Sequence, residues 1–391
     1  PYTTLFRRSE ERRVGKECMS YFYNKNLKLH YDVLGIGKPL VLIAGITCDN
    51  HHWSLIKSEL SKSFQLILPD NRGVGKSDTP ECNYTIADMS ADIVALFDKL
   101  NLDKVSILGH SMGGAIAQYL ACYYPERVEK LIISHSFIKF RASSIMFCQH
   151  EYLLAELNAS PEIRATAILP FIYSDDFIGN GANVQALINA IATTKSKQSL
   201  DSYKQQIYAI SEFNSIDYIA KIKAETLVIA GEFDKLAPRQ DSQEIVNKLD
   251  NVKLKIMAGA HVPMWETPEQ YVNLITAFLF RSAVVVEQHI SQYPNPIIVN
   301  AGDVVITGRE DSEWIGWVFC TNIQSNVSGW VPQQIISVLT VERGIILEDY
   351  SAVELNVLPE QQVSIERELN GWAWCCDGEQ RGWLPLEKLK I

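Results

Sequence analysis

LGHSMGGAIA (108–117) follows the charged-then-apolar run KVSI (104–107) and opens a segment of helical period. Its serine admits two readings. Serine is common where a helix starts, because its hydroxyl accepts from free backbone N–H groups. Gly109-His110-Ser111-Met112-Gly113 also fits G-x-S-x-G placed between a buried strand and a helix, the pattern of a nucleophile elbow. Residues far from Ser111 decide between the two.

A nucleophilic serine needs a base, and the base an orienting acid. GEFDKLAP (231–238) places Asp234 just past the apolar run ETLVIAG (225–231). AGAHVPMWE (258–266) places His261 just past VKLKIMAG (252–259). Serine, aspartate and histidine thus follow in that chain order, each at the end of an expected strand. A turn aspartate and a loop histidine explain either residue singly. The three together favour a triad of Ser111, Asp234 and His261.

The strands themselves come from apolar runs. PLVLIAG (39–45), FQLILPD (64–70), KVSILGH (104–110) and EKLIISH (129–135) join the two just named as buried strands. Helical stretches lie between several of them: 86–100, 112–128, 244–249 and, closing the series, 267–280. Continuous apolar strands alternating with helices indicate a parallel sheet covered on both faces. From about Phe137 to Ala220 the alternation stops in favour of helix-like segments rich in aromatic residues. An insertion there reads as a helical cap over the C-terminal edge of the sheet, where open α/β sheets bind ligands.

These residues resemble the α/β-hydrolase fold, in its capped branch of esterases and lactonases. PDNRGVGKSD (69–78) is similar to that family's Asp-x-Arg-Gly-x-Gly-x-Ser stretch. VLIAGITCDNHHW (41–53) is similar to its oxyanion loop, with Ala44-Gly45 where the family has His-Gly. The resemblance implies an oxyanion hole built from the backbone N–H groups of Ile46 and Met112. It also implies hydrolysis of a small, largely apolar ester or lactone through an acyl-enzyme. Two alternatives stay open: a carbon–carbon bond hydrolase, which uses the same triad, and a non-catalytic ligand sensor on the same scaffold. GVGKS (73–77) is not a phosphate loop, since Asp70 stands where that motif requires glycine. His51 and His52 have no partners at metal-ligand spacing and are expected to border the pocket. Neither a metal nor a cofactor is expected.

After Arg281 the pattern turns to short β-branched runs, turns and tryptophans. GWVFCTNIQSNVSGWVPQQII (316–336) and GWAWCCDGEQRGWLPLEKL (371–389) repeat one another with a period near 55 residues. The second repeat resembles an SH3 domain in Leu347-Glu348-Asp349-Tyr350, Glu354-Leu355, Trp372 and Pro385; the first fits more loosely. That resemblance implies a groove formed by Tyr350, Trp372 and Pro385 for an extended proline-rich segment. The alternative is modules that pack on the rest of the chain or self-associate. Residues 282–391 carry a net charge of −9, so a basic or neutral ligand is expected.

The expected organisation is therefore an α/β-hydrolase domain at 19–281 with a cap at about 137–220, then two small all-β SH3-like barrels at 282–338 and 339–391. The leader 1–18, PYTTLFRRSEERRVGKEC, has neither a strand nor a helix period and resembles translated adapter sequence ahead of Met19, or else a basic arm. With 391 residues and a net charge of −10, the chain shows no electrostatic footprint for nucleic acid or anionic membrane. No apolar run approaches the roughly 20 residues of a membrane span. Eight cysteines without metal or disulfide spacing point to the cytoplasm.

Overall fold

The computed structural model describes residues 20–193, 198–377 and 380–391, so the leader 1–18 lies outside the described residues. The chain divides into two compact units between Ile275 and Thr276.

The first unit is built on one eight-stranded sheet. Its strands are β1 (Ser20–Asn24), β2 (Leu27–Leu34), β3 (Lys38–Ile43), β4 (Phe64–Pro69), β5 (Val105–His110), β6 (Val128–Ser134), β7 (Glu225–Gly231) and β8 (Val252–Met257), in the order β1-β2-β4-β3-β5-β6-β7-β8. From β4 to β8 every pairing is parallel; β1 and β2 add an antiparallel edge. The central strands are apolar throughout because both faces are covered. Leu40 to Ile43 and Leu131 to Ile133 are fully buried, packed beneath helices such as Ile86–Leu100 and Met112–Tyr123. The Ile86–Leu100 helix starts at a reciprocal Thr85–Asp88 capping box, which satisfies two otherwise orphaned donors.

Two sequence expectations differ from the structure. The hairpin β1–β2 precedes every strand expected from apolar runs. VKLKIMAG forms a strand, but at the sheet edge, with Ile256 about half exposed rather than buried. Lys253 and Lys255 alternate with apolar residues there, the pattern of a strand with one wet face.

The insertion after β6 is helical, as its aromatic-rich pattern predicts. It runs through Ala142–Glu156, Pro161–Ile172, Asp175–Gly179, Gly181–Thr193 and Leu200–Ser211. Hydrogen bonds tie it to loops at the C-terminal ends of the strands. Gln206 accepts from the Thr47 N–H, the Ser202 hydroxyl donates to the Gly73 carbonyl, and the His261 N–H donates to the Ile172 carbonyl. These bonds place the helices over the sheet edge that carries Ser111.

The second unit contains two five-stranded antiparallel sheets. One comprises β11 (Val304–Glu310), β12 (Trp317–Asn322), β13 (Ser328–Pro332), β14 (Ile336–Thr340) and β15 (Arg343–Ile346). The other comprises β9 (Arg281–Val285), β17 (Gln362–Leu369), β18 (Trp372–Cys376), β19 (Arg381–Pro385) and β20 (Leu389–Lys390). The repeats match bond for bond: Gln333 N–H donates to the Gly316 carbonyl in one, and Leu386 N–H to the Gly371 carbonyl in the other.

The sheets do not respect the boundary expected at 338/339. β9, from the start of the first repeat, pairs with β17 and β20 in the second sheet. β15, from the start of the second repeat, pairs with β11 and β14 in the first. The repeats have exchanged their first strands. A further pairing, β10 (Ile298–Val299) with β16 (Tyr350–Ser351), crosses between them again. Among the described residues, no helix is long and apolar enough to cross a membrane.

Candidate active site

Ser111 sits in a turn that only small neighbours permit. It stands at φ 54°, ψ −120°, between the end of β5 and the helix Met112–Tyr123. A non-glycine residue held at positive φ stores of order 1–3 kcal/mol, which the surroundings must enforce. Here the chain can turn so sharply because Gly109 and Gly113 lack side chains. A Cβ on Gly109 would lie 2.3 Å from the Gly113 carbonyl oxygen, and one on Gly113 only 2.0 Å from that of Ile43. The Ser111 N–H is held by the Ser134 carbonyl, and its own carbonyl accepts from the Ser136 hydroxyl.

The three residues read as a triad meet. His261 Nε2 lies 3.0 Å from Ser111 Oγ, and His261 Nδ1 lies 2.8 Å from Asp234 Oδ2. The other Asp234 oxygen accepts from the N–H groups of Leu236 and Ala237, both at 2.9 Å, which fixes the carboxylate plane. All three side chains are buried, with Ser111 4% exposed. The carboxylate on Nδ1 favours the tautomer that leaves Nε2 free to accept from the serine hydroxyl.

Ile46 and Met112 also lie beside Ser111. Met112 is the first residue of its helix, so its N–H has no partner in the helical ladder. A Cβ on Gly45 would stand 3.2 Å from Ser111 Cβ, which sets the loop that carries Ile46 directly against the serine.

Three buried histidines surround this arrangement, and sequence reasoning assigned none of them a role at the triad. His110 Nε2 lies 2.7 Å from the His261 carbonyl oxygen, and His52 Nε2 lies 3.2 Å from His110 Nδ1. A carbonyl only accepts, so His110 donates from Nε2, accepts at Nδ1, and His52 is the donor to it. Burial, reinforced by neighbouring histidines, pushes His110 far below the usual imidazole range and His52 down to about 3. His135, at φ 50° with its ring 6.1 Å from that of His261, is pushed by burial down to about 4. The expectation that His51 and His52 border the pocket separates: His52 is buried behind Ser111, whereas His51 is exposed. The visible signal was His110 itself, inside the G-x-S-x-G motif.

His30 is the opposite case. Burial alone would lower it, but hydrogen bonds and charge from Asp32 and Asp70 outweigh that and raise it to about 9. Its nitrogens lie 2.8 Å from Asp70 and 3.3 Å from Asp32. Asp70 also accepts from the Asn50 and Lys76 N–H groups, which pins the loops after β3 and β4. The two kinds of histidine predict a stability maximum near neutral pH. Below about 6.5 the unfolded chain binds protons at residues 52, 110 and 135 that the native state refuses, so stability falls on acidification by up to about 4 kcal/mol per pH unit. Native His30 keeps its proton up to about 9. The stability it confers is full below pH 6.5 and declines as pH rises toward 9, by about 1.4 kcal/mol per unit. Thermal midpoints between pH 5 and 9 should show both limbs, with only the alkaline limb flattened in His30→Gln.

The aromatic residues of the insertion divide. Phe137 and Phe140 belong to the core, and Met146 and Phe171 are largely exposed. Tyr173 is buried, stacks on Phe177 at 4.7 Å, and directly follows Ile172, whose carbonyl holds the His261 N–H. Glu266 fastens the same region by accepting from the N–H groups of Ala260 and Ser174.

In the second unit, Tyr350, Trp372 and Pro385 line one cavity of about 540 Å³. Trp372 is half-buried; Tyr350 and Pro385 are buried.

The topology and these segments define an α/β-hydrolase-fold protein with SH3-like sequence at its C-terminal end. Residues 38–151 match the alpha/beta hydrolase fold family, and residues 283–339 the variant SH3 domain. Among individual proteins, the chain is 27% identical over 243 residues to one from Pseudomonas syringae pv. syringae (strain B728a) named for carbamate hydrolysis, RutD; the match covers 61% of this chain and 93% of that one. It is 24% identical over 259 residues to 3-oxoadipate enol-lactonase 2 of Acinetobacter baylyi, covering 66% and 95%. The solved structure of the enol-lactonase from Burkholderia xenovorans LB400 superposes with a TM-score of 0.60 at 22% identity, covering 66% of this chain and 99% of that one, a likeness of fold.

Proposed function

We propose that the chain is a serine hydrolase acting on a small, largely apolar carboxylic ester or lactone. The observation that carries this reading is the hydrogen-bonded line Ser111–His261–Asp234 at 3.0 and 2.8 Å, buried beneath the helical insertion. Ser111 Oγ attacks the acyl carbon as its proton passes to His261 Nε2, and Asp234 stabilises the imidazolium. The carbonyl oxygen takes up the electron pair and rests against the N–H groups of Ile46 and Met112. The carbon–oxygen bond then breaks, the departing alkoxide takes the proton from His261, and water repeats the sequence on the acyl-enzyme. Relatives named as an enol-lactonase and a carbamate hydrolase support an acyl-transfer reaction of this class. Tyr173, buried next to the residue whose carbonyl holds the His261 N–H and stacked on Phe177, supports an apolar acyl or ring group near Ser111. Cysteines without disulfide bonds among the described residues support the cytoplasm as its place.

A panel of p-nitrophenyl esters from acetate to octanoate, with five- and six-membered lactones, tests the reading. Turnover of at least one, with a length preference that shifts in Tyr173→Ala, is expected. A folded protein that turns over none of them contradicts it.

His110 enters as a positioning residue. Its Nε2–H holds the carbonyl of His261, so His110→Leu should lower kcat by about ten- to a hundredfold with little change in KM, the cost expected of a misplaced base. His110→Asn, which keeps a donor, should recover part of the loss. Equal rates for all three proteins would remove the role.

For the second unit we propose a protein-interaction role: the groove of Tyr350, Trp372 and Pro385 takes an extended, proline-containing, basic or neutral segment.

A further inference from the structure

The cavity in the second unit belongs to neither repeat alone. Its wall takes Trp314, Trp317 and Trp330 from the first repeat and Tyr350, Trp372 and Trp383 from the second. The two sets interlock. Trp314 meets Trp372 edge-on with ring centres 5.4 Å apart, and Trp317 meets Trp383 at 5.7 Å. Trp314 covers the backbone of Gly371, where a Cβ would come within 2.6 Å of its ring. Trp317 Nε1 donates to the Asn370 carbonyl, and Asn370 Nδ2 donates back to the Gly316 carbonyl.

The wall carries four carboxylates against one lysine, Lys388. Asp311 and Glu313 come from the first repeat, Glu354 and Glu387 from the second. Glu354 is paired with His289 at 2.8 Å, and Lys388 lies 3.2 Å from Glu287. Glu313 and Glu387 are exposed and, among the described residues, make no ion pair with a basic side chain. Aromatic faces next to carboxylates suit cationic side chains, which gain from both the ring quadrupole and the charge.

We propose that the two repeats form one composite site, a single groove per chain for an extended cationic peptide, rather than two separate SH3-like sites. This rests on the peptide-binding reading given above and extends it to the first repeat. Calorimetric titration of the full chain with the peptide (Arg-Pro)4, and with (Glu-Pro)4 as control, tests it. One peptide per chain is expected, with no heat from the acidic control. Glu313→Gln and Glu387→Gln alter exposed side chains on opposite repeats, so folding is not at stake; each should weaken binding about three- to tenfold. Trp314→Ala and Trp372→Ala should each weaken it more than tenfold.

The outcomes separate. Two peptides per chain, or binding indifferent to Trp314 and Glu313, overturns the composite site and leaves a groove on the second repeat. Equal binding of (Glu-Pro)4 overturns the cationic specificity. No binding of (Arg-Pro)4 overturns both the composite site and the peptide-binding reading.

Discussion

Ser111→Ala should lower kcat on any ester or lactone substrate by about 10⁶, leaving only the acceleration due to binding and the oxyanion donors. The expectation follows from the reaction assigned to the site, because Ser111 Oγ is the oxygen that His261 Nε2 meets, at 3.0 Å, and alanine removes it. The substitution leaves KM nearly unchanged, since a hydroxyl hydrogen-bonded to His261 contributes little to apolar binding. His261→Ala should cost about as much, and the double variant little more, because the residues act as a unit. Asp234→Asn is expected to cost about 10⁴, by presenting the wrong tautomer to the serine. Steady-state rates for the four proteins check the pattern. Additive losses would mean that the residues do not act together.

Gly113→Ala should prevent stable folding of the first unit. The added Cβ would lie 2.0 Å from the carbonyl oxygen of Ile43 and 2.8 Å from that of Ala44. Both are backbone atoms of a fully buried strand end, so no side chain can swing aside. Overpacking in a core typically costs 1–3 kcal/mol and more where backbone must move. A clash this deep, at the centre of the parallel sheet, should exceed that range and take most of the 5–15 kcal/mol that a domain possesses. Circular dichroism and a thermal melt of Gly113→Ala read the result. Gly179→Ala serves as the control, because a Cβ there meets nothing within 4 Å.

The same crowding explains what could be read in advance. Ser111, Asp234 and His261 were legible because an elbow and two strand-end loops leave local signatures in fixed chain order. The helical insertion was legible because residues 137–220 break the alternation of strands and helices. The N-terminal hairpin was not, since SYFYN and LKLHYDVL mix polar and aromatic residues without a continuous apolar run. His52 comes from a short helical turn, His110 from the end of β5 and His135 from the loop after β6, and only the fold shows that the rings of His110 and His135 meet His261 while His52 packs against His110. The strand exchange was invisible for a different reason. Two repeats with the same period offer the same partners, so local pattern cannot say whether Arg281–Val285 pairs with the first repeat or the second.

The most direct test of the central claim is covalent labelling with a fluorophosphonate, read by intact mass on the parent protein and on Ser111→Ala. A single adduct on the parent and none on the variant is the expected result, and it makes Ser111 an activated nucleophile. An unlabelled parent protein that is folded, or an adduct that survives in Ser111→Ala, would contradict the catalytic role assigned to Ser111.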